Sequence, residues 1–141
     1  MNSKVNAVER WGIFELILKG PTNGNPFIDV TIDAKFAHKD HEVKVSGFYD
    51  GNGVYLIRFM PDVPGVWKYV TKSNLPELDG QQGEFTCVEA LEKVHGPVSV
   101  HNTHHFAYAD GTPYYPFGTT CYAWTHQGDT LEEQTLKTLK S

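Results

Sequence analysis

A chain of 141 residues, 40% apolar and 21% charged, has room for one ordinary domain, or for a small domain with a further piece, and enough apolar material to form a core. Twelve Lys and Arg against 17 Asp and Glu leave a formal net charge of −5 with both signs interspersed, which argues against a nucleic-acid partner and against an anionic membrane surface. Residues 1–10 lack an apolar h-region, and no run reaches the roughly eighteen apolar residues that a membrane span needs. The chain as written therefore reads as cytoplasmic, or as secreted if a signal peptide has been removed.

Up to about residue 90 the apolar pattern has a period of two, broken by turn signals every ten residues or so. Residues 11–19 form a first apolar-rich run, closed by Gly20-Pro21 and Asn23-Gly24-Asn25-Pro26. Residues 28–36 then alternate, with Ile28, Val30, Ile32, Ala34 and Phe36 on one face and Asp29, Thr31, Asp33 and Lys35 on the other, the mark of a half-buried antiparallel strand. Residues 42–49 repeat the pattern, and Asp50-Gly51-Asn52-Gly53 supplies the positive-φ positions of a tight hairpin. Strands over 54–60, 66–71 and 85–89 complete a series of six, which fits two packed antiparallel sheets. Trp11 and Trp67 are assigned to the core between them.

Near His95 the character changes. Short strands are expected over 98–100, 106–108 and 115–117, with Asp110-Gly111-Thr112-Pro113 as the turn before the last. A buried-looking run follows over 116–124. The one helix is expected over 131–140, with Thr130 as N-cap, Glu133 completing a capping box, and Leu131, Thr135, Leu136 and Leu139 on one stripe.

Few residues present themselves as reactive. His101, His104 and His105 are close in sequence, but His104 and His105 point to opposite faces of an extended segment and no Cys or carboxylate completes a tetrahedral set. They read as solvated loop histidines, and neither a metal nor a cofactor is expected. Cys87 and Cys121, the two cysteines, belong to no C-x-x-C pair and read as buried free thiols. Glycoside cleavage needs two carboxyl groups flanking the scissile bond. Asp29, Asp33, Asp50, Asp62 and Asp79 fall on polar strand faces or turns, and Asp129, Glu132 and Glu133 open a helix, where its dipole favours them. No catalytic residue is assigned.

The aromatic residues say more: of eighteen, seven lie between Phe106 and Trp124. Rings with polar tips suit sugars, whose apolar faces stack while their hydroxyls seek hydrogen bonds. Core packing is the competing explanation, evenly balanced for Tyr122 and Trp124 and favoured for the other five.

Two stretches carry a resemblance. Phe59-Met60-Pro61-Asp62-Val63-Pro64-Gly65-Val66-Trp67-Lys68-Tyr69, followed by Lys72-Ser73-Asn74, resembles the immunoglobulin-like domain at the N-terminus of apiosidase-like glycoside hydrolases. Residues 106–124 resemble the opening of their catalytic (β/α)₈ barrel. The resemblance implies a mainly β chain: an immunoglobulin-like β-sandwich accessory domain over 1–94, then over 95–141 a hairpin and the first strand–helix unit of the barrel. It implies a glycan as substrate of the full-length enzyme. The catalytic carboxylates would lie on later barrel strands, and Thr120, Tyr122, Trp124 and His126 would be substrate-binding residues at the C-terminal rim of the first strand. A lone strand–helix unit cannot close a barrel, so residues 95–141 are expected to dock on the sandwich or to be held by a partner chain, including a second copy. A stand-alone carbohydrate-binding module with coplanar exposed rings, and a purely structural interaction domain, are the alternatives.

Overall fold

The computed structural model describes residues 7–118, 120, 126 and 128–140. Alternating side chains sort the first ninety residues into two sheets. The larger runs in the order β1-β8-β7-β3-β4, with β1 (Ala7–Glu9), β3 (Ile32–His38), β4 (His41–Ser46), β7 (Gly65–Ser73) and β8 (Gln82–Val88). The smaller has the order β2-β6-β5, from β2 (Phe14–Lys19), β5 (Phe48–Gly51) and β6 (Val54–Phe59). All pairings are antiparallel except that of β1 with β8.

Between the sheets lies one core. Phe14 and Leu16 of β2, Tyr55, Ile57 and Phe59 of β6, Ile32, Ala34 and Phe36 of β3, Trp67 of β7, and Phe85 and Cys87 of β8 are all buried there. Polar atoms that enter it are satisfied, as burial demands. The Trp67 indole Nε1 donates to the Val63 carbonyl at 2.9 Å, the Tyr55 hydroxyl to the Pro21 carbonyl at 2.8 Å, and the Thr71 hydroxyl to the Leu78 carbonyl at 2.6 Å. Burial raises the Cys87 thiol pKa, so this free cysteine is an inert core residue.

The strand expected over 42–49 is two strands in two sheets. Ser46 still pairs with Asp33 in the large sheet, whereas Phe48 pairs with Leu56 in the small one. Gly47 makes the crossing possible: a Cβ there would stand 2.6 Å from Ile57 Cγ1 and 2.6 Å from the Leu56 carbonyl oxygen. The expected strand over 28–36 starts later, at Ile32, because residues 26–29 wind into the short helix α1 (Pro26–Asp29), whose Asp29 carboxylate accepts from the Asn25 N–H at 2.8 Å. Phe27 and Ile28 are left exposed. Trp11 is not core: it is half-buried, in the turn between β1 and β2.

Beyond the sandwich, β9 (Val98–His101), β10 (His105–Tyr108) and β11 (Pro113–Tyr114) form a separate antiparallel sheet in the order β11-β10-β9. The last strand sits two residues earlier than expected, since the Phe117 N–H turns back to the Tyr115 carbonyl at 2.8 Å. Helix α2 (Asp129–Leu139) also begins early, with Gly128 at its N-cap and no side-chain capping bond, so the expected capping box of Thr130 and Glu133 does not form. Leu131, Leu136 and Leu139 remain exposed. Cys121, Tyr122 and Trp124 lie outside the described residues, and with them most of the strand expected to open a barrel.

Candidate functional site

A three-residue loop joins β9 to β10, and it sets the site. Asn102 and Thr103 both take left-handed backbone conformations, φ 48° and 69°, which turns the chain so tightly that His101 and His105 pair directly across the hairpin. Cross-strand partners share a face, so these two imidazoles stand side by side on one side of the sheet. His104 sits at the loop tip. Together with Phe106 and buried Ala107 on β10, and with Tyr114, Tyr115 and Pro116 beyond the 110–112 turn, they line a cleft of about 430 Å³.

The cleft has aromatic and imidazole walls and no carboxylate among its lining residues. It can stack a ring and donate hydrogen bonds. Among the described residues no three His, Cys, Asp or Glu side chains converge to hold a metal ion. The aromatic rings nearby do not form a flat platform: Tyr108 and Tyr114 meet edge to face at 88°, 5.3 Å between centroids.

Below the cleft a second polar group braces the turn. The Asp110 carboxylate accepts from the Thr112 N–H at 2.9 Å and lies 2.7 Å from His95 Nδ1. The Thr112 N–H, and next the His95 hydrogen bond, hold the Asp110 carboxyl at a pKa of about 2. Asp33 is lowered by Lys44 and Ser46, and Asp79 by the Ser73 N–H and Lys72. A glycosidase acid must be displaced the other way, upward, to hold its proton near neutrality. Asp33, Asp79 and Asp110 are thus not poised as that acid, and each fixes a turn or a strand pair.

Thr120 and His126, two of the four residues expected at a sugar-binding rim, are exposed, and neither is among the residues that line the cleft. Tyr122 and Trp124, the other two, lie outside the described residues. The cleft itself draws on residues that the sequence reading assigned to a solvated loop or to packing. Its available signal was the spacing of His101 and His105 about a loop short enough to set them opposite each other.

Residues 7–74 match a family described as a domain of unknown function, DUF5060. A search of curated proteins finds no match. Among solved structures the chain is similar to a protein of Bacteroides vulgatus ATCC 8482 described as a "putative glycoside hydrolase", with 50% sequence identity and a TM-score of 0.88. That likeness covers 94% of this chain and 26% of the Bacteroides protein, so the present residues correspond to about a quarter of the relative's length. Both the sandwich and most of the region beyond it fall within so high a coverage. The chain is thus similar to a segment of a protein described as a "putative glycoside hydrolase", and DUF5060 matches β1 to β7 of the sandwich.

Proposed function

We propose that these residues are an accessory region of a glycoside hydrolase that degrades carbohydrate: an immunoglobulin-like domain followed by the opening of an apiosidase-like catalytic barrel, with the catalytic carboxylates supplied by other residues. The observation that carries the reading is the 50% identity to the Bacteroides vulgatus protein across 94% of this chain. Strand order supports the immunoglobulin-like part. Numbering the sandwich strands after β1 as B to G, with β4 as an added edge strand, β3, β7 and β8 fall side by side as C, F and G, and β2, β6 and β5 as B, E and D, which is the immunoglobulin partition. The downward displacement of Asp33, Asp79 and Asp110 supports placing the acid elsewhere.

The test is hydrolysis of a panel of aryl glycosides and plant and host polysaccharides. The 141-residue chain should release no sugar. A chimera in which it replaces the matching quarter of the Bacteroides protein should hydrolyse what that protein hydrolyses. Turnover by the 141-residue chain, lost on changing one of its carboxylates, would overturn the reading. A second reading, a carbohydrate-binding module, is favoured by the cleft at His101, His105 and Tyr115, and calorimetric titration with the same polysaccharides reads it directly.

A further inference from the structure

Sandwich and hairpin sheet share no strand pairing, and no strand of one packs broadly against a strand of the other among the described residues. The Trp11 side chain bridges them. Trp11 leaves the turn after β1 with φ 65°, in the left-handed region that a bulky side chain rarely enters. Its N–H donates to the Pro61 carbonyl at 2.8 Å, and the next N–H, of Gly12, donates to the Glu9 carbonyl at 2.8 Å. Strain of this kind persists only where the surroundings over-determine it.

What the strain achieves is the position of the indole. The Arg10 guanidinium lies over the ring, 4.1 Å from its centroid, and is itself fixed by Nε donating to the Asp62 carbonyl at 2.7 Å. From the hairpin side the backbone of Gly96 meets the same indole. A Cβ on Gly96 would stand 2.6 Å from Trp11 Cδ2, 2.7 Å from Cε2 and 2.9 Å from the Ala109 methyl, so only glycine allows the approach. Gly96 is flanked by a stiff partner: His95 and Asp110 are joined at 2.7 Å, and the Asp110 N–H returns to the His95 carbonyl at 3.3 Å. The intervening link is tied down at the same turn, where the Leu91 N–H donates to Glu9 Oε2 at 3.1 Å.

We propose that Trp11, received by the bare backbone of Gly96, is a fixed joint that makes the sandwich and the β9–β11 sheet one rigid body. The sandwich then sets the direction in which the chain leaves it. Under the accessory reading it is a mount for the barrel rather than a module on a flexible tether. That last step rests on the proposed function, whereas the joint does not.

Residual dipolar couplings of backbone amides in the 141-residue chain test the joint. In the unchanged protein one alignment tensor should fit β1–β8 and β9–β10 together. Trp11→Ala and Gly96→Val should each require two tensors, with hairpin amides exchanging about tenfold faster and β3 and β7 amides unchanged. Two tensors already needed in the unchanged protein, or one tensor surviving in both variants, would overturn the joint. So would equal acceleration of exchange in sandwich and hairpin, which would make Trp11 a general stability residue. Gly96→Val alters no sandwich residue, so it keeps the test open should Trp11→Ala fail to fold. No sugar enters the measurement, so it stands apart from the outcome of the hydrolysis panel.

Discussion

The rings of Phe14 and Phe85 lie parallel, 4.0 Å between centroids and 10° between planes, and so join β2 of the small sheet to β8 of the large one. Both rings are buried, and the Phe36–Phe59 stack at 4.2 Å repeats the arrangement between β3 and β6. The two stacks hold the sheets face to face. Phe85→Ala removes a side chain that is 2% exposed and opens a cavity between the sheets, which should lower unfolding free energy by about 3–5 kcal/mol. Urea unfolding followed by Trp fluorescence checks this. A loss within error of zero would mean that the sheets are held elsewhere.

Gly47→Ala tests the crossing from one sheet to the other. The added methyl would press on Ile57 and on the Leu56 carbonyl at 2.6 Å, and the backbone there must give. Overpacking of this size costs about 1–3 kcal/mol. Gly51→Ala, in the hairpin turn at φ 90° with nothing within 4 Å, isolates the conformational part of a glycine substitution from the packing part. Denaturation midpoints of the two variants side by side give the difference.

Which parts of this fold were legible follows from what each signal measures. Alternation over Ile32, Ala34 and Phe36 reports a buried face directly, and these three residues are buried as the pattern requires. Alternation cannot report which sheet a strand joins, so Gly47 passed as one more strand residue. Ile28 and Val30 kept the alternating pattern but lie outside the strand, because the Asn25–Asp29 bond winds that stretch into α1. Trp11 reads as a core residue in the sequence, although its indole packs against the backbone of a glycine 85 places away in the chain. The cleft is harder to read than the spacing of its histidines suggests: pairing of His101 with His105 depends on two left-handed residues, Asn102 and Thr103, neither a glycine.

The Asp110 brace carries a pH dependence of definite sign. Its carboxyl has an ordinary pKa of 3.8 and a folded value of about 2, so the unfolded chain takes up the proton first as the pH falls. The contribution of the brace is complete above about 4 and is lost as the pH drops through about 2. Amide shifts of Thr112 and Gly111 should move with a midpoint near that lower value, and Asp110→Asn should flatten the titration. Lowered values at Asp33 and Asp79 add stability of the same sign in the sandwich. A Thr112 midpoint at the ordinary carboxylate pKa would show that the bond to Asp110 does not persist in solution.

Exposed apolar side chains continue beyond the sandwich. Phe117 is 95% exposed and Tyr115 72%, while Leu131, Leu136 and Leu139 line one stripe of a helix that packs broadly against no other described element. Burying a large apolar side chain is favourable by roughly 2–3 kcal/mol, so five such exposed residues favour association. The 141-residue chain should therefore self-associate, with a scattering mass that rises between micromolar and submillimolar concentrations. Replacing Phe117 with Ser and Leu131 and Leu139 with Gln should return it to a monomer of about 15.9 kDa without moving the urea midpoint of the sandwich, whose core none of the three enters. A monomer across the whole range for the unchanged chain would show that α2 and the segment before it find their cover within the same molecule.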